Sequence, residues 1–568
     1  MKLNNYELFL PENSEKWLRA GISIPKFDRK ALIERTNKNP AWVHFGAGNI
    51  FRAYLARACD ALIETGEYDL GVIAAEGYDY EIIDMAFIPH DDITILVTLK
   101  ADGNVEKKAI ACITQALKAS SAHEDFERLK DIFKTESLQV VSFTITEKGY
   151  SLQGPAKDIS QEVAYDFENG TEKPRSYMGR IAALLYERYK RFADEKGGGV
   201  ALLSMDNCSH NGDKLKAAVS AFAEEWERRG LTEKGFSEYV NNPARVSFPW
   251  SMIDKITPAP HKDVKKMLED GGICGMETIV TSKNTHIAPF VNAEEAEYLV
   301  IEDSFPNGRP PLEKAGIIFT DRQTVDKAEK MKVCTCLNPL HTALAVFGCL
   351  LGYTKISEEM KDADLKKLVE KIGYEEGLPS VTDPVIIDPE KFLEEVINVR
   401  LPNPFLPDAP QRIATDTSQK LPIRFGETIK SYKNRDDLNI ENLKFIPLVF
   451  AAWLRYLMGV DDDGLSIEIS PDPLHLYLNS HIRQVKLVGV AAESADDQTE
   501  TETDFDSTNP IDYRTRIRPI LEDASIFGVN LYHAGLGEKV EALFGELIDG
   551  RGAVRRTLKK YLYNEKGI

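Results

Sequence analysis

Two glycines, an arginine and a glutamate near the start of the chain have the types and spacing to hold a phosphate and a ribose. The stretch FGAGNIFRAY (residues 45–54) follows a short apolar run. Gly46 permits a tight turn with positive φ, and Gly48 has no Cβ to block an approaching pyrophosphate. The N–H groups of Asn49, Ile50 and Phe51 then open a helix, whose positive end attracts an anion. Phe51 occupies the place of the third glycine in G-x-G-x-x-G, which weakens the match because that glycine lets helix and strand pack closely. Arg52, one turn into the helix, is expected to approach a phosphate by itself. Glu76 ends the next apolar run, and a carboxylate there accepts ribose hydroxyls and repels a 2′-phosphate, favouring NAD over NADP. It lies at residue 76, farther from Gly46 than the usual ~20 residues. Taken alone, the stretch is equally an ordinary strand-to-helix turn.

The elements around it fit a nucleotide-binding layer. AWVHF (41–45), LGVIAAE (70–76), LQVVSFTIT (138–146) and GGVALLSM (198–205) are short, β-rich and bounded by turn residues, as buried strands of a parallel sheet are. Between the second and third, two strand-like runs flank Ala101-Asp-Gly-Asn104, a hairpin that predicts an antiparallel excursion. The turn-rich segment 301–317 is expected to cross between domains. From about Arg322 onward helical periodicity dominates. The expected fold is α/β: a Rossmann-type doubly wound sheet over residues 1–315, then a mostly helical domain over 316–568. The acidic run 492–506 reads as a solvated insertion.

The chain has 568 residues, too many for one core, and a formal net charge of −20. Such an acidic chain is a poor partner for nucleic acid or an anionic membrane, because its field repels polyanions. No stretch reaches ~18 apolar residues, and the N-terminus lacks a signal-peptide core, so a cytoplasmic protein is expected. Seven scattered cysteines fit a reducing compartment. Cys334 and Cys336 lack the second ligand pair of a zinc site and are read as core cysteines, with no metal expected.

Further stretches share an order that is specific in combination: ITEKGY (145–150), MDN (205–207), SMIDKITP (251–258), EDSFPNGRPP (302–311), EKMKVCTCLNPLH (329–341) and DTSQKLP (416–422). With the GAGNIFR turn they resemble the polyol-specific long-chain dehydrogenases, the mannitol dehydrogenase family. The resemblance implies a Rossmann-type domain, a helical domain, an active site between them, and metal-free hydride transfer between a carbinol carbon and NAD(P). It implies a lysine general base, whose pKa must fall from ~10.4 towards neutrality. The family's K, N and H fall on Lys332, Asn338 and His341. Asn207 and Asn338 then stabilise the oxyanion, and His341 orients the substrate hydroxyl. Glu147 and Glu329 fit a proton path from the lysine, and Asp254 matches a family position near the cofactor.

Two departures stand out. The family spaces lysine and asparagine by four residues, whereas here Val333 to Leu337 make five. On an ideal helix the extra residue swings Lys332 away from the Asn338/His341 face by ~100°. Pro339 argues against a regular helix through Thr335–Pro339, so Asn338 is expected to cap a new helix and Lys332 to lie on a separately aimed segment. Trp250 replaces a smaller polar residue, either narrowing the pocket or simply packing.

The expected activity is NAD-dependent interconversion of a sugar acid or polyol and its keto form, D-mannonate/D-fructuronate first. Lys420 and Arg424 are candidate partners for a substrate carboxylate, or else hold the helical domain together. An alditol 2-dehydrogenase is the second reading, and an NAD-retaining epimerase or a binding protein the reading of another class. Oligomeric state, monomer or dimer, stays open.

Overall fold

Six short strands lie side by side, all parallel, in the computed structural model, which describes residues 1–154, 156–193, 197–488 and 510–563. They are β1 (Trp42–Phe45), β2 (Val72–Glu76), β3 (Ile113–Lys118), β4 (Val140–Phe143), β5 (Val200–Ser204) and β6 (Val246–Ser247). Their spatial order is β3-β2-β1-β4-β5-β6, the doubly wound order whose topological switch lies beside β1. Both faces are covered: Val43 and Phe45 enter one apolar cluster while Trp42 enters the other. Continuous rather than alternating apolar runs follow from this double burial.

The hairpin around residues 101–104 forms, with Thr94–Leu99 pairing antiparallel to Val105–Ile110. The run that follows it breaks at Ala111-Cys112, and its continuation is β3, an edge strand of the main sheet. Thr94–Leu99 also pairs in parallel with Phe290–Glu294, so the excursion has a sheet of its own. The expectation that 301–317 crosses between domains is corrected. Tyr298–Glu302 and Ile318–Thr320 pair with each other, and the turn-rich segment joins two strands of one sheet.

The chain divides into two compact units, Met1–Asp326 and Lys327–Ile568. The second is helical among its described residues, with apolar helices Asn338–Leu350 and Phe445–Tyr456 in its core. Helical residues 322–350 are long and apolar enough to span a membrane, but 83% of that window is buried inside the fold, as in a core helix. Among its described residues three π-helical stretches punctuate this unit, at Met331–Cys336, Lys371–Gly377 and Val396–Arg400. The acidic run 492–506 lies outside the described residues.

Candidate active site

The glycine turn is shaped by close backbone approach. Gly46 has φ +104°, and a Cβ there would lie 2.2 Å from the Thr144 carbonyl oxygen; a Cβ on Gly48 would meet nothing within 4 Å. The first bond of the following helix runs from the Arg52 N–H to the Gly48 carbonyl, so the N–H groups of Asn49, Ile50 and Phe51 stand at its open end. Gly46→Ala is expected to cost roughly 2–3 kcal/mol through forbidden φ and the clash with Thr144. A urea unfolding curve that superimposes on wild type would refute this.

Phe51 explains the missing third glycine. Its ring is buried and stacks on His44 of β1, centroids 4.3 Å apart and planes 5° from parallel. The helix widens into a π stretch over Phe51–Leu55, making room for an aromatic where a glycine would draw helix and strand together. Between the two elements His44 bonds to Ser142 Oγ and Thr144 Oγ1, and burial pulls its pKa down to about 3, so it is neutral.

Two expectations about this turn are corrected. Arg52 does not reach out to a phosphate: it is 1% exposed and donates to Ala288 O (2.7 Å), Thr94 Oγ1 (3.2 Å) and Asn49 Oδ1 (2.8 Å). Glu76 does not hold a free carboxylate out for ribose hydroxyls. It is 5% exposed; Oε2 accepts from the Ala47 N–H, and Oε1 from those of Tyr78 and Asp79. A buried carboxylate beside open backbone donors collects them, and Glu76 thereby stitches the glycine turn to the end of β2. Burial raises its pKa, opposed by the three N–H groups.

Asn207 is exposed in the loop after β5, beside a residue that sequence reasoning did not single out. Asp206 accepts from the N–H groups of Ile145 (3.0 Å) and Thr146 (2.8 Å) and from the Tyr150 hydroxyl, tying the MDN loop to the ITEKGY loop. It holds Thr146 at φ +64°. The available signal was a carboxylate preceding Asn207 at a strand end. Glu147 is exposed and pairs with Lys214 at 2.5 Å. Asp254 ends the strand Ser251–Asp254 and is buried. Trp250 packs: its indole lies against His210 (4.2 Å) and under Arg322 (4.9 Å), and its N–H donates to Asp213 at 3.0 Å.

In the second unit the extra residue after Lys332 is taken up by a π turn. The Leu337 N–H donates to the Lys332 carbonyl, five residues back, at 3.1 Å. The expected break is present: Lys332 lies in the π stretch Met331–Cys336, Leu337 (φ −125°) leaves helical geometry, and a new helix runs over Asn338–Leu350. Pro339 stands in that helix's first turn, whereas Asn338 is its first residue and makes no side-chain cap. The turn is held from outside: Thr428 Oγ1 donates to the Cys334 carbonyl at 3.3 Å, and Gly377 leaves room for Thr335, which a Cβ would approach to 3.1 Å. Lys332 is 2% exposed, while Glu329 and Asn338 are half-buried. Cys334 and Cys336 are buried, and burial raises Cys336 to about 12.

His341 sits 3.7 Å from Asp408, with Arg424, Arg400 and Arg412 also acting on it. Burial pulls its pKa down to about 4 against the pull of Asp408, leaving a neutral imidazole able to donate or accept a hydrogen bond. Arg424 donates to Thr342 Oγ1 (2.7 Å) and to the Asn338 carbonyl (3.4 Å), so it fastens the first turn of this helix. Lys420 donates to the carbonyls of Ile413 and Thr415, and burial beside Arg424 pulls it down to about 8. Asp408, Arg400 and Arg412 carried no motif; the fold alone brings them to His341.

Parallel strands in the doubly wound order and an open helix start at the first glycine turn define a Rossmann-type, dinucleotide-binding class of fold. The chain belongs to the mannitol dehydrogenase family: its Rossmann-domain profile matches residues 40–314 and its C-terminal-domain profile residues 324–497. A D-mannonate oxidoreductase of Thermotoga maritima is 52% identical over the whole of both chains. A polyol:NADP oxidoreductase of Gluconobacter oxydans is 27% identical, over 80% of this chain and 86% of that one. Among solved structures, Pseudomonas fluorescens mannitol 2-dehydrogenase in ternary complex with NAD and D-mannitol superposes with TM-score 0.67 at 25% identity, over 99% of this chain and all of that one. The protein is thus a dehydrogenase/reductase acting on CH–OH groups.

Proposed function

We propose that the chain interconverts D-mannonate and D-fructuronate with NAD. The observation that carries this is end-to-end 52% identity with a D-mannonate oxidoreductase. The residues at the glycine turn fit a dinucleotide: Gly48 faces open space, and the N–H groups of Asn49 to Phe51 stand ready for a pyrophosphate. Bound there, NAD supplies the hydride acceptor for the carbinol carbon. Lys332 takes the hydroxyl proton as that carbon is oxidised and returns it in the reductive direction. Asn338 donates to the substrate oxygen where negative charge develops, and neutral His341 orients the hydroxyl. Asn207, Glu147 and Glu329 keep the roles that the family resemblance gives them.

The cations around His341 favour a sugar acid over an alditol. Among the described residues Arg424 has only neutral oxygens as its acceptors, and burial alone pulls it down, to about 10. A substrate carboxylate would complete it with a charge-assisted bond. Replacing Arg424 by Ala is expected to raise KM for mannonate about 10–100-fold, the worth of a hydrogen bond to a charged group. An unchanged KM in steady-state assays would leave Arg424 only its tie to Thr342. The overall assignment is tested by a panel of mannonate, altronate, mannitol, arabinitol and sorbitol, each with NAD and NADP and followed at 340 nm. Turnover of mannitol but not mannonate overturns the substrate, and epimer formation without net NADH overturns the reaction.

A further inference from the structure

Arg52 is a buried cation with no acidic partner among the described residues. Its acceptors, Ala288 O, Thr94 Oγ1 and Asn49 Oδ1, are all neutral; its Nε has no hydrogen-bond partner among the described residues; the guanidinium lies 5.7 Å from the Phe87 ring centroid and within electrostatic reach of His90. The other deeply buried arginines of this unit are placed differently. Arg29 lies near Asp92, Asp91 and Asp60, and Arg188 is influenced by Glu136. Only burial acts on Arg52, pulling it down to about 9, so it is still charged at neutral pH. An ion buried without a counter-ion costs several kcal/mol.

The place is the first turn of the helix that opens on the glycine turn. Arg52 Nη2 holds the side-chain oxygen of Asn49, the residue at the helix start, whose N–H stands at the open end. Three sources of positive potential thus coincide: the open N–H groups, the helix dipole and a buried guanidinium. With little solvent around Arg52, its field is weakly screened. We infer that Arg52 is the built-in counter-charge for the dinucleotide pyrophosphate, acting through Asn49 and through space rather than by touching a phosphate oxygen. It is a positioning residue, and the missing anion beside it is the ligand's own. The inference rests on the NAD reading above.

It follows that Arg52 strengthens binding in proportion to phosphate charge and leaves the adenosine part untouched. Calorimetric titration of wild type, Arg52→Gln and Arg52→Lys with ADP and with adenosine reads this directly, without turnover. Arg52→Gln, neutral but still a donor, is expected to lose at least about 10-fold in ADP affinity while adenosine affinity changes less than about 3-fold. Arg52→Lys, which keeps the charge, is expected to hold the ADP-to-adenosine ratio within about 3-fold of wild type. Equal losses for both ligands in Arg52→Gln overturn the inference, as does an unchanged ratio. Should Arg52→Gln not fold, Arg52→Lys decides alone: a collapsed ratio overturns the inference and a preserved one supports it. If wild type binds neither ADP nor NAD, it is the dinucleotide reading that fails.

Discussion

Lys332→Ala is expected to lower kcat for mannonate oxidation by about 10²–10⁴-fold, the usual contribution of a positioned general base, while the affinity for ADP stays at the wild-type value. The expectation rests on where the lysine sits. Lys332 is 2% exposed and lies in a π turn at Met331–Cys336, whose shape is kept by the Leu337–Lys332 bond, the Thr428 hydroxyl and the bare Cα of Gly377. π turns persist where their surroundings over-determine them, and they recur at functional sites. Rates at 340 nm across pH, with ADP titration as the control, check the assignment. Full activity in Lys332→Ala would remove the lysine from the chemistry. Loss of ADP binding along with rate would point instead to a folding defect.

The second large effect concerns stability. Glu359 is 0% exposed, and neither carboxylate oxygen has a hydrogen-bond partner among the described residues. It lies against Gly348, where a Cβ would come within 2.2 Å of Oε1. Burial, with Asp362 nearby, raises its pKa from 4.5 to about 9. The folded chain therefore keeps a proton that the unfolded chain releases. This stabilises folding fully below pH 4.5, and the benefit is lost progressively as pH rises towards 9. Glu359→Met, close in volume and uncharged, is expected to be more stable than wild type by on the order of 3 kcal/mol or more at pH 8, and close to it at pH 4. Denaturant unfolding at several pH values measures this. Parallel stability curves for the two proteins would show that the Glu359 carboxyl titrates in the folded chain as it does in the unfolded one, overturning the expectation.

Much of the scaffold was legible from one chain. Four strands of the main sheet announced themselves as apolar β-rich runs because both faces of that sheet are buried. β3 was hidden, since its run continues directly from a hairpin strand and only pairing with β2 separates the two. Gly46 was readable because no other residue tolerates its φ so close to Thr144. Trp250 was named, but its stack with His210 and Arg322 depends on residues that the fold assembles from three separate stretches.

Side-chain direction was not legible. Arg52 and Glu76 were singled out by position, and both turn inward, because a buried carboxylate or guanidinium gathers whatever backbone partners the fold leaves open around it. Pro339 already argued against the α-helical rotation that the Lys332–Asn338 spacing would impose; that the preceding segment winds as a π turn, beside Gly377 and Thr428, was decided by packing. By itself the sequence determined the order of elements, the glycine turn and the chemical types available, since these depend on local sterics and burial period. The tertiary structure decided which charges are buried, what satisfies them and how the lysine turn is wound, because those depend on groups from separate stretches, 94 residues apart for Thr428 and Cys334 and 236 for Arg52 and Ala288.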